Sequence, residues 1–136
     1  MSLGIHESDR EGIVIVALKG RLTVGEASSV REAVNKLVAA GRLNVIFDLA
    51  DVDYIDSTGL GSLVICFTSI KKAGGALKLL NLNRRNIELL VLTKLHTIFE
   101  VFSDEQDAVN SFFPNREIKH FDILTFVRDH QAEAEE

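Results

Sequence analysis

The chain passes from a near-continuous apolar run, Val45-Ile46-Phe47-Asp48-Leu49, into an acid-, hydroxyl- and glycine-rich run, Val52-Asp53-Tyr54-Ile55-Asp56-Ser57-Thr58-Gly59-Leu60-Gly61. The first run reads as a buried strand. Beyond the second, apolar residues recur at Leu60, Leu63, Val64, Cys66, Phe67 and Ile70 and stop at Gly74, which reads as a helix. That helix starts at or just after Ser57, behind an acidic loop. A serine at a helix start can cap it. A phosphate placed there meets unpaired backbone N–H groups and the positive end of the helix dipole. Ser57 therefore has two compatible readings, a structural cap and a switch.

The rest of the sequence places this junction in a layered fold. Ile13 to Leu18 is a buried-strand run, with Asp9-Arg10-Glu11-Gly12 as a turn and Ile5 to Ser8 as a hairpin partner. Thr23-Val24-Gly25-Glu26 has the form of a capping box. It opens a helix with Ala27, Val30, Val34, Leu37 and Val38 on one face, ending at Gly41. After Gly74-Gly75, Leu77 to Leu80 reads as a third core strand. Asn83 caps a helix with Ile87, Leu90 and Val91 inside. Ile98 to Phe102 reads as a short strand. Ser103-Asp104-Glu105-Gln106 is a second capping-box form, opening a helix with Ala108, Val109, Phe112 and Phe113 before Pro114 breaks the pattern. The order β-β-α-β-α-β-α-β-α predicts a mixed sheet with helices against it.

Composition excludes several function classes. The 136 residues, nearly half of them apolar, suit one domain with a single core. A net charge of −5 argues against nucleic-acid binding. No apolar run approaches the roughly 20 residues of a membrane span. No signal-peptide pattern opens the chain, so a cytoplasmic protein is expected. Cys66 is the single cysteine, which excludes an internal disulfide and a multi-cysteine metal site. It lies among apolar residues and reads as an inert hydrophobe. His6, His96, His120 and His130 lack metal-like spacing, and His96 reads as a surface loop residue. Ser57 lacks a Gly-x-Ser-x-Gly elbow, and Gly59-Leu60-Gly61 has neither the spacing nor the lysine of a phosphate-binding loop. The expectation is a protein without catalytic activity, metal or cofactor.

Asp56-Ser57-Thr58-Gly59-Leu60-Gly61 after a buried strand resembles the STAS domain, specifically the bacterial anti-sigma factor antagonists. Gly20 at a strand end, the Ala73-Gly74-Gly75 break and the run Leu95 to Phe102 fall where family landmarks are expected. The similarity covers roughly residues 4–113. It implies an α/β fold, a single STAS domain whose mixed sheet has about five strands, with about four helices packed against it. It also implies that Ser57 is a phosphorylation site. Thr23, Asp56, Ser57, Thr58, Gly59 and Leu60 would then form a partner-binding surface. The implied partner is an anti-sigma factor that is also an ATP-dependent serine kinase, and binding it frees a sigma factor. Phosphorylation at Ser57 breaks the association and a serine phosphatase restores it. ATP and Mg²⁺ belong to the kinase, and neither nucleic acid nor membrane is a partner.

Individual residues keep a plainer reading beside this one. Thr58 reads as a helix-start residue or a secondary acceptor. Asp56 either orients the Ser57 hydroxyl or makes a local bond to backbone. Gly59 either admits a kinase backbone or allows tight helix–sheet packing, and Gly61 reads as packing. The family often has an aspartate in the loop after the second strand. Gly20-Arg21-Leu22-Thr23 puts Thr23 there, which can cap but offers no charge, and Arg21 makes this rim more basic. An alternative role within the same family is a constitutive subunit of a transport or lipid-trafficking assembly, docking on an ATPase.

Residues 114–136 form a C-terminal extension. Ile118, Phe121, Leu124 and Val127 suit a short helix, while Phe121, Ile123 and Val127 also fit a strand. This many apolar groups imply a docked segment, either on the same domain or as a homodimer or partner surface. The acidic end, Glu133 to Glu136, is expected to be disordered.

Overall fold

The computed structural model describes residues 3–135. Strand β1 (Gly4–Arg10) forms a hairpin with β2 (Ile13–Leu22). Helix α1 (Ala27–Ala39), strand β3 (Asn44–Ile55), helix α2 (Ser57–Lys72), strand β4 (Ala76–Leu80) and helix α3 (Arg84–Leu92) follow. Strand β5 (Val101–Phe102) and helices α4 (Glu105–Asn110) and α5 (Ile123–Glu135) complete the chain. The five strands form one sheet in the order β1-β2-β3-β4-β5. Only the β1–β2 pair is antiparallel. This is the mixed sheet that the alternation of apolar runs predicts.

Alternate side chains divide the central strands between two cores. Val14, Val16 and Leu18 of β2, Val45, Phe47 and Leu49 of β3, and Leu77 and Leu79 of β4 meet α1, α2 and α3 on one face. Ile13, Ile15, Ile46, Leu80 and Phe102 meet Ala108 and Val109 of α4 on the other. Each large side chain buried this way stabilises the fold by roughly 1.5–3 kcal/mol relative to exposure. Strands buried on both faces read as near-continuous apolar runs. Lys78 is the charged exception on β4. Its ammonium donates to the Ser111 carbonyl at 3.2 Å and hydroxyl at 2.9 Å, and lies 4.4 Å from the Phe112 ring centroid.

Helices α1 and α2 both stop where glycine permits a left-handed residue. Gly41 has φ +75° and Gly74 φ +96°. The N–H of the following residue then bonds back to Leu37 O and Ile70 O respectively, both at 2.9 Å.

At the level of the strands, helix α4 and the C-terminus, four sequence expectations need correction. First, the acidic loop after Leu49 is strand: β3 continues through Ile55. Between Ala17↔Asp48 and Leu22↔Ile55 the β2–β3 register shifts twice, so β3 carries extra residues relative to β2. These bulges bend the strand and turn Val52 and Ile55 into the core while the acids stay outside. Second, the strand expected over Ile98–Phe102 shrinks to Val101–Phe102. Lys94 adopts φ +61°, Leu95–Thr97 makes a 3-10 turn, and Phe99 folds into the core instead of pairing. Third, Asp104 rather than Ser103 caps α4, accepting from Asp107 N at 3.0 Å. Fourth, the C-terminal run is helical through Glu135, so an acidic end disordered from Glu133 is not found; Glu136 lies outside the described residues.

The extension packs on its own domain. Val127 joins the main core, with Phe121, Ile123 and Phe126 against it, and Ile118 packs on the opposite core. Leu124 points outward.

Candidate functional site

The C-terminal ends of β2 and β3 meet the N-terminus of α2, and one carboxylate organises the junction. Asp56 caps α2 from an extended backbone, its Oδ1 accepting from Gly59 N at 2.7 Å. Its Oδ2 accepts from Val24 N at 3.2 Å, and its own N–H donates to Leu22 O at 3.2 Å. Asp56 thus satisfies an otherwise unpaired helix-start donor and fastens the β2–α1 turn to it. Of its two sequence readings, the local backbone bond is the one found.

Ser57 is therefore the first residue inside the helix, not its cap. It is exposed, as is Thr58. Among the described residues no hydrogen bond engages the Ser57 hydroxyl. The first turn of α2 contains no acidic residue. The sequence reading of Ser57 as the cap is corrected here, because the aspartate before it takes that position.

Gly59 and Leu60 face inward. A β-carbon on Gly59 would lie 2.1 Å from Leu22 O, so the helix start presses directly on the end of β2. Leu60 is buried against the core. Neither lies on the exposed surface that the sequence reading gave them. Gly61 is exposed with open space around it, so tight packing does not explain it. The exposed side of α2 carries Ser57, Thr58, Gly61 and Ile65, with Val24 exposed on the turn tied to Asp56.

Thr23 does not cap α1 with its side chain. Its hydroxyl donates to Glu26 Oε2 at 2.6 Å, while its carbonyl accepts from Glu26 N and Ala27 N. The turn so formed occupies the position where a capped helix start was expected, and Glu26 stands at the N-cap without a side-chain bond.

Helix α3 braces the site from the other side. Asn83 caps it, accepting from Asn86 N at 2.8 Å, as the sequence predicts. The amide groups of Asn83 and Asn86 both donate to Val52 O, and Asn83 also donates to Asp53 O. They satisfy carbonyls of β3 beyond Asp48, where pairing with β4 ends. Sequence reasoning missed this brace, and it missed Tyr54 and Arg85 beside it; the Asn83-Arg84-Arg85-Asn86 run was the available signal.

Elsewhere the chain offers little chemistry. Among the described residues no cluster of histidine, cysteine or acids could hold a metal ion, and no helix is long and apolar enough to cross a membrane. His96 lies in the 3-10 turn, half-buried rather than in an open loop. Cys66 is fully buried in α2, and burial raises its thiol pKa to about 12. A thiol so far above neutrality stays protonated and unreactive. Native protein is expected to resist a thiol reagent at pH 8 and to react fully in denaturant. Rapid native labelling would show that α2 opens locally.

The fold agrees with the comparisons. The STAS domain family model matches residues 8–108, and the chain belongs to that family. The anti-sigma-B factor antagonist of Bacillus subtilis is 35% identical over 109 residues, covering 80% of this chain and 99% of the relative. The anti-sigma-B factor antagonist of Listeria monocytogenes is 33% identical over 101 residues, covering 74% and 88%. The crystal structure of an anti-sigma factor antagonist from Mycobacterium paratuberculosis shares the fold with a TM-score of 0.72 at 21% identity, over 80% of this chain and 92% of that one.

One prediction tests the junction itself. Asp56→Ala is expected to lower stability by about 1–2 kcal/mol, from the lost cap and the released Val24 N–H. Asp56→Asn should fall between wild type and Asp56→Ala, since its amide oxygen can still cap Gly59 N but its amide nitrogen cannot accept from Val24 N. Unchanged melting of Asp56→Ala would refute the clamp.

Proposed function

We propose that this protein is an anti-sigma factor antagonist acting in the cytoplasm by partner switching. Its unphosphorylated form binds an anti-sigma factor that is also a serine kinase, which releases the sigma factor. Phosphorylation at Ser57 ends that association and a serine phosphatase renews it. The protein is substrate and binding module, without catalytic chemistry of its own.

The observation that carries this reading is the exposed, unengaged hydroxyl of Ser57 in the first turn of a helix capped by another residue. Capping and switching are thereby separated. A phosphate here adds about −1.5 to −2 charges at the positive end of a helix dipole, where the fold tolerates it. It changes the surface without unfolding the protein. The partner face then comprises Ser57 and Thr58 directly. Thr23 and Asp56 set the turn beside them, and Gly59 and Leu60 seat the helix from beneath. The relatives' role as antagonists supports the same reading. The relatives reported above are antagonists, which favours this reading over the transport-subunit alternative.

The test is to incubate the purified protein with the source cell's anti-sigma factor and ATP–Mg²⁺ and to locate phosphate by mass spectrometry. Modification at Ser57, abolished in Ser57→Ala, is expected. Phosphate on Thr58 or elsewhere would move the switch to another residue. Binding without any phosphorylation would remove the switch while leaving the partner.

A further inference from the structure

We propose that Arg21, Tyr54 and Arg85 form an anion-accepting shelf that docks an acidic segment of the protein partner; this rests on the reading of the Ser57 surface as the partner face. The three residues come from β2, β3 and α3. The guanidinium carbon of Arg85 lies 3.9 Å from the Tyr54 ring centroid and that of Arg21 lies 4.7 Å from it. The second bulge of β3 creates the arrangement. Gly20 pairs with Val52 but Arg21 pairs with Tyr54, so Asp53 is skipped and the ring is brought opposite Arg21. Bulges commonly re-aim side chains in this way beside functional surfaces.

Two like charges on one ring repel each other, and neither Arg21 nor Arg85 has a carboxylate partner among the described residues. Of the other arginines, Arg31 does not lie against an acid, and Arg10, Arg42, Arg84, Arg116 and Arg128 each do. This is notable in a chain with a net charge of −5. With both guanidinium carbons over the ring, and no hydrogen bond or ion pair to either group among the described residues, their N–H groups remain available to donate to a carboxylate partner. The ring also holds both side chains in place before binding, which lowers the entropy lost on docking.

The shelf adjoins the proposed switch. Tyr54 precedes Ser57 by three residues, and Arg21 precedes Leu22, whose carbonyl accepts from Asp56 N. The overall negative charge disfavours a long polyanion such as nucleic acid. A short acidic protein segment meets the local positive charge without facing the rest of the surface. A phosphate on Ser57 would repel that same segment, which links the shelf to the switch.

The test titrates the source cell's purified anti-sigma factor into unphosphorylated wild type, Arg21→Glu, Arg85→Glu and the double variant, by calorimetry at low and high salt. Both side chains are exposed, so thermal melting should stay unchanged. The double reversal is expected to weaken binding by about tenfold or more at low salt, and by less at high salt. In parallel, a tetraglutamate peptide is titrated while the arginine Nε–Hε resonances are followed. Saturable shifts of Arg21 and Arg85 are expected, and their loss in Tyr54→Leu. If the anti-sigma factor binds the double variant as tightly as wild type, the proposal is overturned whatever the peptide does. If it does not bind wild type at all, the partner-switching reading fails separately. The peptide then decides the shelf: saturable shifts sustain it and their absence overturns it.

Discussion

Gly59→Ala is expected to destabilise the protein by about 3 kcal/mol, the upper end for overpacking a well-filled site. In a domain of this size that corresponds to a fall of about 10 °C in melting temperature. The added β-carbon would stand 2.1 Å from Leu22 O and 2.8 Å from Leu22 C. Both are backbone atoms at the end of a paired strand, so no rotamer change relieves the clash. Relief requires α2 to lift from β2, which strains the Asp56 N–H bond to Leu22 O and the cap on Gly59 N. Gly61→Ala is the control, two residues along the same helix. Nothing lies within 4 Å of its β-carbon position, and alanine is favoured over glycine in a helix by about 1 kcal/mol. It should therefore melt slightly higher than wild type. Thermal melts of both variants, with no partner present, separate packing from kinase access as the reason for Gly59. An unaltered melt for Gly59→Ala would return the access reading.

The legible parts of this fold were those set by local chemistry. The apolar runs of β2, β3 and β4 declared themselves, because strands buried on both faces leave little room for polar residues. Gly41 and Gly74 marked two helix ends, because the left-handed backbone there suits glycine. Asn83 announced α3 for a comparable reason. What stayed hidden depends on pairing between distant segments. The sequence of β3 past Leu49 looks like an acidic loop, and only its bulged register with β2 makes it strand. Capping assignments slipped by one residue twice, at Asp56 and Asp104, because Asp-Ser and Ser-Asp each offer adjacent cap-forming side chains. The candidate surface followed the same division. Exposed Ser57 and Thr58 were found from the motif. The burial of Gly59 and Leu60, and the stacking of Arg21 and Arg85 on Tyr54, needed the three-dimensional neighbours.

Ser57→Asp should weaken anti-sigma factor binding by about tenfold or more while leaving the fold at least as stable. The two effects have separate origins. Ser57 is the first helical residue, and α2 has no acid in its first turn. An aspartate there interacts favourably with the helix dipole, by about 0.3–1 kcal/mol. On the binding side, a misplaced charge in an interface costs several kcal/mol when the partner presents the same sign. The phosphorylated protein should lose more affinity than Ser57→Asp, because phosphate carries the larger charge. Ser57→Ala is expected to keep both binding and stability, to within about 0.5 kcal/mol, as an exposed surface change. The motif by itself would assign that variant a lost cap; the bond from Gly59 N to Asp56 moves the penalty to Asp56→Ala. Calorimetric titration and melts of the four forms distinguish the possibilities. Equal affinity for wild type, Ser57→Asp and the phosphorylated protein would end the charge-based switch. A clear fall in the melting temperature of Ser57→Ala would show that the serine carries structural weight that its unengaged hydroxyl does not account for.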